Sequence, residues 1–160
     1  MQHESTIRPA TLDDVPALKT VIDTTGLFPS SMLDEMMINY FNNPDSNDFW
    51  LTDDDNGPVG IAYYAPERLT EGTWNLYLIA IHSDRKGQGR GAALLKYVEQ
   101  TLVERGERLL LVETSGLPDF EYQRAFYRRC GYHEEARIHD FYTTGDDKII
   151  FCKPLTRPHL

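Results

Sequence analysis

A mixed α/β (α+β) fold is what this sequence of 160 residues predicts. Three observations carry the prediction: helical and strand periodicities alternate along the chain, a strand-turn-helix-strand unit occupies its middle, and hairpin signals lie on both sides of that unit.

The elements follow in order. A short extended piece is expected near Thr6 to Arg8. Thr11 with Asp14 three residues on reads as a capping box, and Val15, Leu18 and Ile22 form an apolar stripe that ends near Gly26. Ser31 and Asp34 repeat the start signal before Leu33, Met36, Met37 and Tyr40, a stripe best read as core packing. FWLT at 49–52 and VGIAYY at 59–64 are β-rich runs flanking Asp53 to Pro58, which predicts a hairpin.

WNLYLIAI at 74–81 is apolar almost throughout, as a strand covered on both faces at the centre of a sheet must be. From Gly91, the spacing of Leu94, Leu95, Val98 and Leu102 predicts a helix closed by Gly106, and LLLVET at 109–114 returns as a buried-type strand. Strand, turn, helix and strand make a βαβ unit. Beyond Pro118, Tyr122, Phe126 and Cys130 recur at four-residue spacing on a helix that stops at Gly131. ARIHDFY and KIIFCK, around Thr143 to Asp147, predict a second hairpin.

Composition excludes several function classes. Apolar residues make up 41% and charged residues 26%, the balance of a soluble globular protein, and no apolar run approaches the roughly 18 to 20 residues of a membrane span. One domain over residues 1–160 is expected. The opening MQHESTIRP carries charge where a signal peptide is apolar, so the expected compartment is the cytoplasm, with Cys130 and Cys152 reduced and structural. A net charge of -9 repels nucleic-acid phosphate and anionic lipid and permits a cationic substrate.

Residues 84–95 read DRKGQGRGAALL, with Gly87, Gly89 and Gly91 between the central strand and the helix. Without Cβ atoms the backbone can curl and admit an anionic group, and the unpaired N-H groups of the helix's first turn stabilise phosphate charge. Lys86 and Arg90 add cations there. The plain alternative, a connection that binds nothing, leaves the entropic cost of three glycines unexplained.

A dinucleotide site competes, because Gly87, Gly89 and Ala92 fit G-x-G-x-x-A and Glu113 ends the next strand near the distance of a ribose-binding acid. His82 to Lys86 separate strand and first glycine, however, and only one βαβ unit is visible, flanked by antiparallel signals. No P-loop string is present in the sequence.

The string Lys86, Gly87, Gln88, Gly89, Arg90, Gly91 resembles the signature of the GCN5-related N-acetyltransferase family, in which Arg or Gln stands where this chain has Lys86. AFYRRCGY at 125–132 is similar to the phenylalanine-tyrosine string on that family's fourth helix, and LYLIAIHSD at 76–84 to the strand entering its glycine turn.

The resemblance implies a mostly antiparallel twisted sheet of six to seven strands with about four helices, split between the fourth and fifth strands, where acetyl-coenzyme A lies. By position it implies that backbone groups of Ile79, Ala80 and Ile81 line the pantetheine and the acetyl carbonyl. The turn Lys86, Gly87, Gln88, Gly89, Arg90, Gly91, Ala92 would hold the pyrophosphate, and Tyr127 would stand near the thioester sulfur.

That chemistry is physically sensible. A leaving thiolate of pKa about 8.5 accepts a proton or hydrogen bond from a Tyr hydroxyl, and an alkylamine of pKa about 10.4 must lose a proton before it attacks. Glu113 is the first candidate base, followed by Asp140, Asn75 through a water, and Tyr77; each also reads as a solvated strand-end group. His82, His133 and His139 lack metal-ligand spacing, so no metal is expected, and Cys130 reads as a packing residue.

The expected activity is direct acetyl transfer from acetyl-coenzyme A to a primary amine, on a small cationic molecule or on a peptide or protein. A backbone N-H of the 74–81 strand would meet the acetyl oxygen. The rival is a non-catalytic acyl-coenzyme A-binding module. Exposed strand edges and the aromatic carboxy-terminal hairpin, with Phe141, Tyr142 and Phe151, point to a possible homodimer.

Overall fold

The computed structural model describes residues 5–155. Among these residues seven strands and four α-helices follow in the order β1 (Ile7–Pro9), α1 (Val15–Thr25), α2 (Leu33–Asn42), β2 (Phe49–Asp54), β3 (Pro58–Pro66), β4 (Thr73–Ile81), α3 (Arg90–Glu104), β5 (Leu109–Ser115), α4 (Glu121–Arg129), β6 (His133–Thr143) and β7 (Asp146–Pro154). The strands form one sheet in the order β1-β2-β3-β4-β5-β7-β6.

Antiparallel ladders join β1 to β2, β2 to β3, β5 to β7 and β7 to β6, while β4 and β5 run parallel. The parallel ladder extends from Thr73 opposite Leu109 to Leu76 opposite Val112 and no further among the described residues, which is the split expected between the fourth and fifth strands. With antiparallel pairs on both sides of the βαβ unit, this is not the doubly wound parallel sheet of a dinucleotide-binding fold.

The chain divides into two compact units. The first takes the chain up to Ala65 together with Leu78–Val98. Its core joins Leu18, Val21 and Ile22 of α1, Leu33 and Met37 of α2, and Trp50, Ile61, Leu78 and Ala80 of the sheet, with Met36 and Tyr40 partly buried against it. The two helical stripes read from the sequence are therefore packing stripes.

The capping box also forms: the Thr11 N-H donates to Asp14 Oδ2 at 2.7 Å, although the turn it opens is 3-10 before α1 begins. Gly26 ends α1 in the left-handed conformation. At α2 the expected start signal is not used, because no side chain caps that end and Asp34 instead meets Lys19 of α1 at 2.5 Å.

The second unit takes Pro66–Tyr77 and the chain from Glu99 onward. Its buried residues include Trp74, Leu76, Leu102, Leu110, Val112, Tyr127, Tyr132 and Phe151. Two expectations are corrected here. Phe151 is fully buried and so is not on a surface that could pair two copies, whereas Phe141 and Tyr142 are exposed. On α4, Tyr122 is exposed, and the buried positions are Arg124 and Tyr127.

Arg124 can be buried because its guanidinium donates to the carbonyls of Ser115 at 2.6 Å and Leu117 at 2.9 Å and to Glu121 at 2.9 Å. A charge so completely hydrogen-bonded can replace an apolar side chain on the covered face. Among the described residues, no helix is long and apolar enough to cross a membrane.

Candidate active site

In the first unit, β4 ends at Ile81, a 3-10 turn covers Ser83–Arg85, and α3 begins at Arg90. Gly87 and Gly89 lie between them with φ of +77° and +76°, backbone that L side chains rarely adopt. A Cβ placed on either would meet nothing within 4 Å, so the glycines serve the curl of the chain, and the space above the turn is open.

The helical ladder starts with the Ala93 N-H donating to Gly89 O at 3.0 Å, so the N-H groups of Arg90, Gly91 and Ala92 have no intrahelical acceptor. Together with the positive end of the helix dipole they make this corner one of positive electrostatic potential.

The turn is tied to the β2-β3 hairpin by charge. Arg90 donates to Asp53 at 2.9 Å and to Asp55 at 2.6 Å, Arg85 bonds the same Asp55 carboxylate, and Gln88 Oε1 accepts from Arg90 at 3.0 Å and from Arg85 at 3.3 Å. The hydrogen bond from Arg85, aided by the charge of Arg90, holds the Asp55 carboxyl below its usual range.

Of the two cations that the sequence puts beside the turn, Arg90 is thus committed to carboxylates, while no carboxylate among the described residues pairs with Lys86. Nearby, Ala80 is buried and Ile79 and Ile81 are half-buried. A Cβ on Gly60 would lie 2.9 Å from Ile81 Cδ1 and 3.1 Å from Leu94 Cδ1, so a missing side chain on β3 lets the strand end and α3 pack closely.

The second unit holds a polar cluster on one face of its sheet. Asn75 and Tyr77 alternate on β4, and Glu113 lies near the end of β5. Asn75 Nδ2 donates to Glu113 Oε1 at 3.0 Å and to Glu67 Oε1 at 2.9 Å, and the Tyr77 hydroxyl donates to Glu67 Oε1 at 3.2 Å. Lys148 of β7 meets the other oxygen of Glu113 at 3.0 Å and stands 4.1 Å from the Phe141 ring centre.

Asn75 is 1% exposed and its Oδ1 has no partner. Rotating the amide would set that oxygen against two carboxylates, so the carboxylates fix its orientation. Three of the four base candidates, Glu113, Asn75 and Tyr77, therefore share one network.

The residue that joins them, Glu67, escaped the sequence reading, because a carboxylate just past a strand carries no local signal. Asp140, the fourth candidate, shapes the β6-β7 turn instead. Its φ is +57°, its N-H donates to Asp147 at 2.9 Å and its carboxylate accepts from Gly145 at 2.8 Å.

Tyr127 is buried on α4 against Phe126, Tyr132 and Phe151, with ring centres 5.4, 6.2 and 5.8 Å away. Burial, with a contribution from Cys130, pushes its hydroxyl well above the ordinary tyrosine range, so it stays protonated. No group among the described residues hydrogen-bonds that hydroxyl.

Cys130 and Cys152 are free thiols, both raised chiefly by burial. The β6-β7 register brings His133, Glu135 and Cys152 together, their donor atoms within 4.8 Å, a grouping that sequence spacing hides. His133 and Glu135 are exposed and already meet each other at 2.6 Å. His82 caps its own 3-10 turn, and His139 meets Asp147 at 3.1 Å.

Residues 45–134 match the acetyltransferase (GNAT) domain family. A GNAT-family protein of known structure from Desulfovibrio desulfuricans is 32% identical, with a TM-score of 0.87 over 94% of this chain and 98% of that one. The same fold is seen in an aminoglycoside 6'-N-acetyltransferase complexed with coenzyme A, 20% identical, with a TM-score of 0.76 over 96% of this chain and 99% of that one. It is seen again in the ribosomal-protein-S18-alanine N-acetyltransferase of Escherichia coli, 22% identical, with a TM-score of 0.75 over 98% and 97%. A curated amino-acid acetyltransferase of Pasteurella multocida is 26% identical over 79% of this chain, which spans 28% of that protein's length.

Proposed function

Because the chain belongs to the GNAT acetyltransferase family, we propose that it moves an acetyl group from acetyl-coenzyme A directly to a primary amine. The observation that carries this reading is the open turn at Gly87 and Gly89, left-handed at both glycines and leading directly into the first turn of α3, whose N-H groups have no helical acceptor.

In this reading Gly87 to Ala92 hold the pyrophosphate through main-chain amides, with Gln88, Arg90 and Lys86 around them. The role of Arg90 is mechanical as much as electrostatic, since its charge is matched by Asp53 and Asp55. Backbone groups of Ile79, Ala80 and Ile81 line the pantetheine, and a strand N-H meets negative charge on the acetyl oxygen.

The amine arrives as an ammonium ion and must be deprotonated. Glu113 takes that proton, its carboxylate oriented by Asn75 and Lys148. Tyr127, kept protonated by its apolar surroundings, donates to the departing thiolate.

Calorimetric titration with acetyl-coenzyme A tests the first half; no heat and no thermal stabilisation at millimolar ligand would end the reading. Thiol release across a panel of polyamines, amino acids, aminoglycosides and peptide N-termini tests the second. Binding without amine-dependent release would mark a non-catalytic acyl-coenzyme A module instead.

A further inference from the structure

Resting on the transfer reading above, we infer that the acceptor is a small organic polycation with no carboxylate beside its reacting nitrogen, and that Glu67 is the charge that selects it. Glu67 and Glu113 both accept from one amide nitrogen, Asn75 Nδ2, at 2.9 and 3.0 Å. Two carboxylates so close repel each other unless a cation offsets them. Lys148 does this for Glu113 alone, whereas the hydrogen-bond partners of Glu67 are a neutral amide and a neutral hydroxyl. The cluster therefore keeps a net negative charge at Glu67.

Asn75 supplies independent support. A polar side chain that is 1% exposed, with Oδ1 unpartnered, carries a desolvation cost that a residue placed for packing would not. What it provides in return is the N-H2 group aimed between the two carboxylates, which holds them at one spot.

The surroundings also suit a cation. Tyr77, on the central strand, is 49% exposed beside Glu67, and Tyr142 is exposed on β6, whereas the exposed Phe141 ring already meets Lys148 at 4.1 Å. Tyr142 lies close enough to Glu113 for that charge to help raise its hydroxyl, after burial as the main cause. Carboxylates rimmed by aromatic faces attract alkylammonium groups by charge and by ring quadrupole together. A free α-amino acid would bring its own carboxylate against Glu67 and Glu113, and this repulsion disfavours it.

The test is steady-state kinetics with acetyl-coenzyme A and four acceptors: spermidine, glucosamine, alanine and an alanine-initiated peptide. Spermidine is expected to be preferred and alanine rejected. Glu67→Gln, which keeps the hydrogen-bond acceptor and removes the charge, should raise KM for spermidine about tenfold while kcat stays within about threefold. Glu67→Asp should restore most of the affinity, and calorimetry with acetyl-coenzyme A checks that both variants are folded.

An unchanged KM in Glu67→Gln, or preference of the wild type for glucosamine, alanine or the peptide, overturns the inference while leaving the transfer reading in place. A wild type that releases no thiol with any amine removes the transfer reading, and the inference with it.

Discussion

Arg90, the first residue of α3, binds Oδ2 of Asp53 on β2 at 2.9 Å, and that carboxylate is only 2% exposed. The Thr6 hydroxyl donates to its other oxygen. A residue next to the glycine turn is thus anchored in the interior of its own unit rather than left to solvent. Losing Asp53 leaves Arg90 held by Asp55 alone and the Thr6 hydroxyl without its acceptor, at a cost of about 1 to 3 kcal/mol. Asp53→Ala is expected to lower the melting temperature clearly and to weaken acetyl-coenzyme A binding, because the start of α3 loses its tether. Thermal unfolding and calorimetry together check this, and an unaltered melting curve would count against the anchor.

Gly89 tests the turn itself. Its φ of +76° is strained for any side chain and most of all for a β-branched one. Space is not the obstacle, since a Cβ there meets nothing within 4 Å. Gly89→Val should therefore fold, with a far-UV spectrum like that of the wild type, while the backbone of the turn relaxes and affinity for acetyl-coenzyme A falls about tenfold or more. Retained affinity would show that the curl is not what positions the amides.

Most of the fold was legible because its elements are written in local periodicity: Leu18 and Ile22, Leu33 and Met37, and Leu94, Val98 and Leu102 fall on the buried faces their spacing predicts. The stripe at Tyr122, Phe126 and Cys130 misled, since helical spacing cannot reveal that Arg124 satisfies its guanidinium on the carbonyls of Ser115 and Leu117 and so takes the covered face. Phe151 was misplaced for a related reason: the ring looks like any other on an aromatic hairpin until α4 covers it with Tyr127.

At the candidate site, the glycine turn was readable as a string, whereas Glu67 was not. Its link to Glu113 runs through Asn75 and exists only once β4 and β5 pair in parallel.

Asp14 gives a pH prediction. Arg8 donates to both of its oxygens at 2.8 Å, and this hydrogen bonding lowers its carboxyl from the ordinary value to about 2. A folded-state pKa below the unfolded one means stability that is present above about pH 4 and is lost as pH falls toward 2. The contribution is about 2 kcal/mol. Urea unfolding of Asp14→Asn should show a lower midpoint at pH 7, with the gap to the wild type closing toward pH 2. A gap independent of pH would mean that packing, not ionisation, carries the effect.

Tyr127→Phe separates the hydroxyl from the ring. The ring contacts with Phe126, Tyr132 and Phe151 survive the substitution, so stability and acetyl-coenzyme A affinity should change little. The lost group is a donor whose pKa burial has raised, so it does not ionise below about pH 10 and would show no alkaline limb of its own in the wild-type profile. If that donor protonates the leaving thiolate, its removal should cut kcat by about a hundredfold, the usual contribution of a positioned acid. The deficit should shrink when the acyl donor carries a thiol of lower pKa, because a better leaving group needs less help. An undiminished kcat would remove Tyr127 from the chemistry. A deficit of the same size for every thiol would mean that the hydroxyl holds the helix in place rather than giving up a proton.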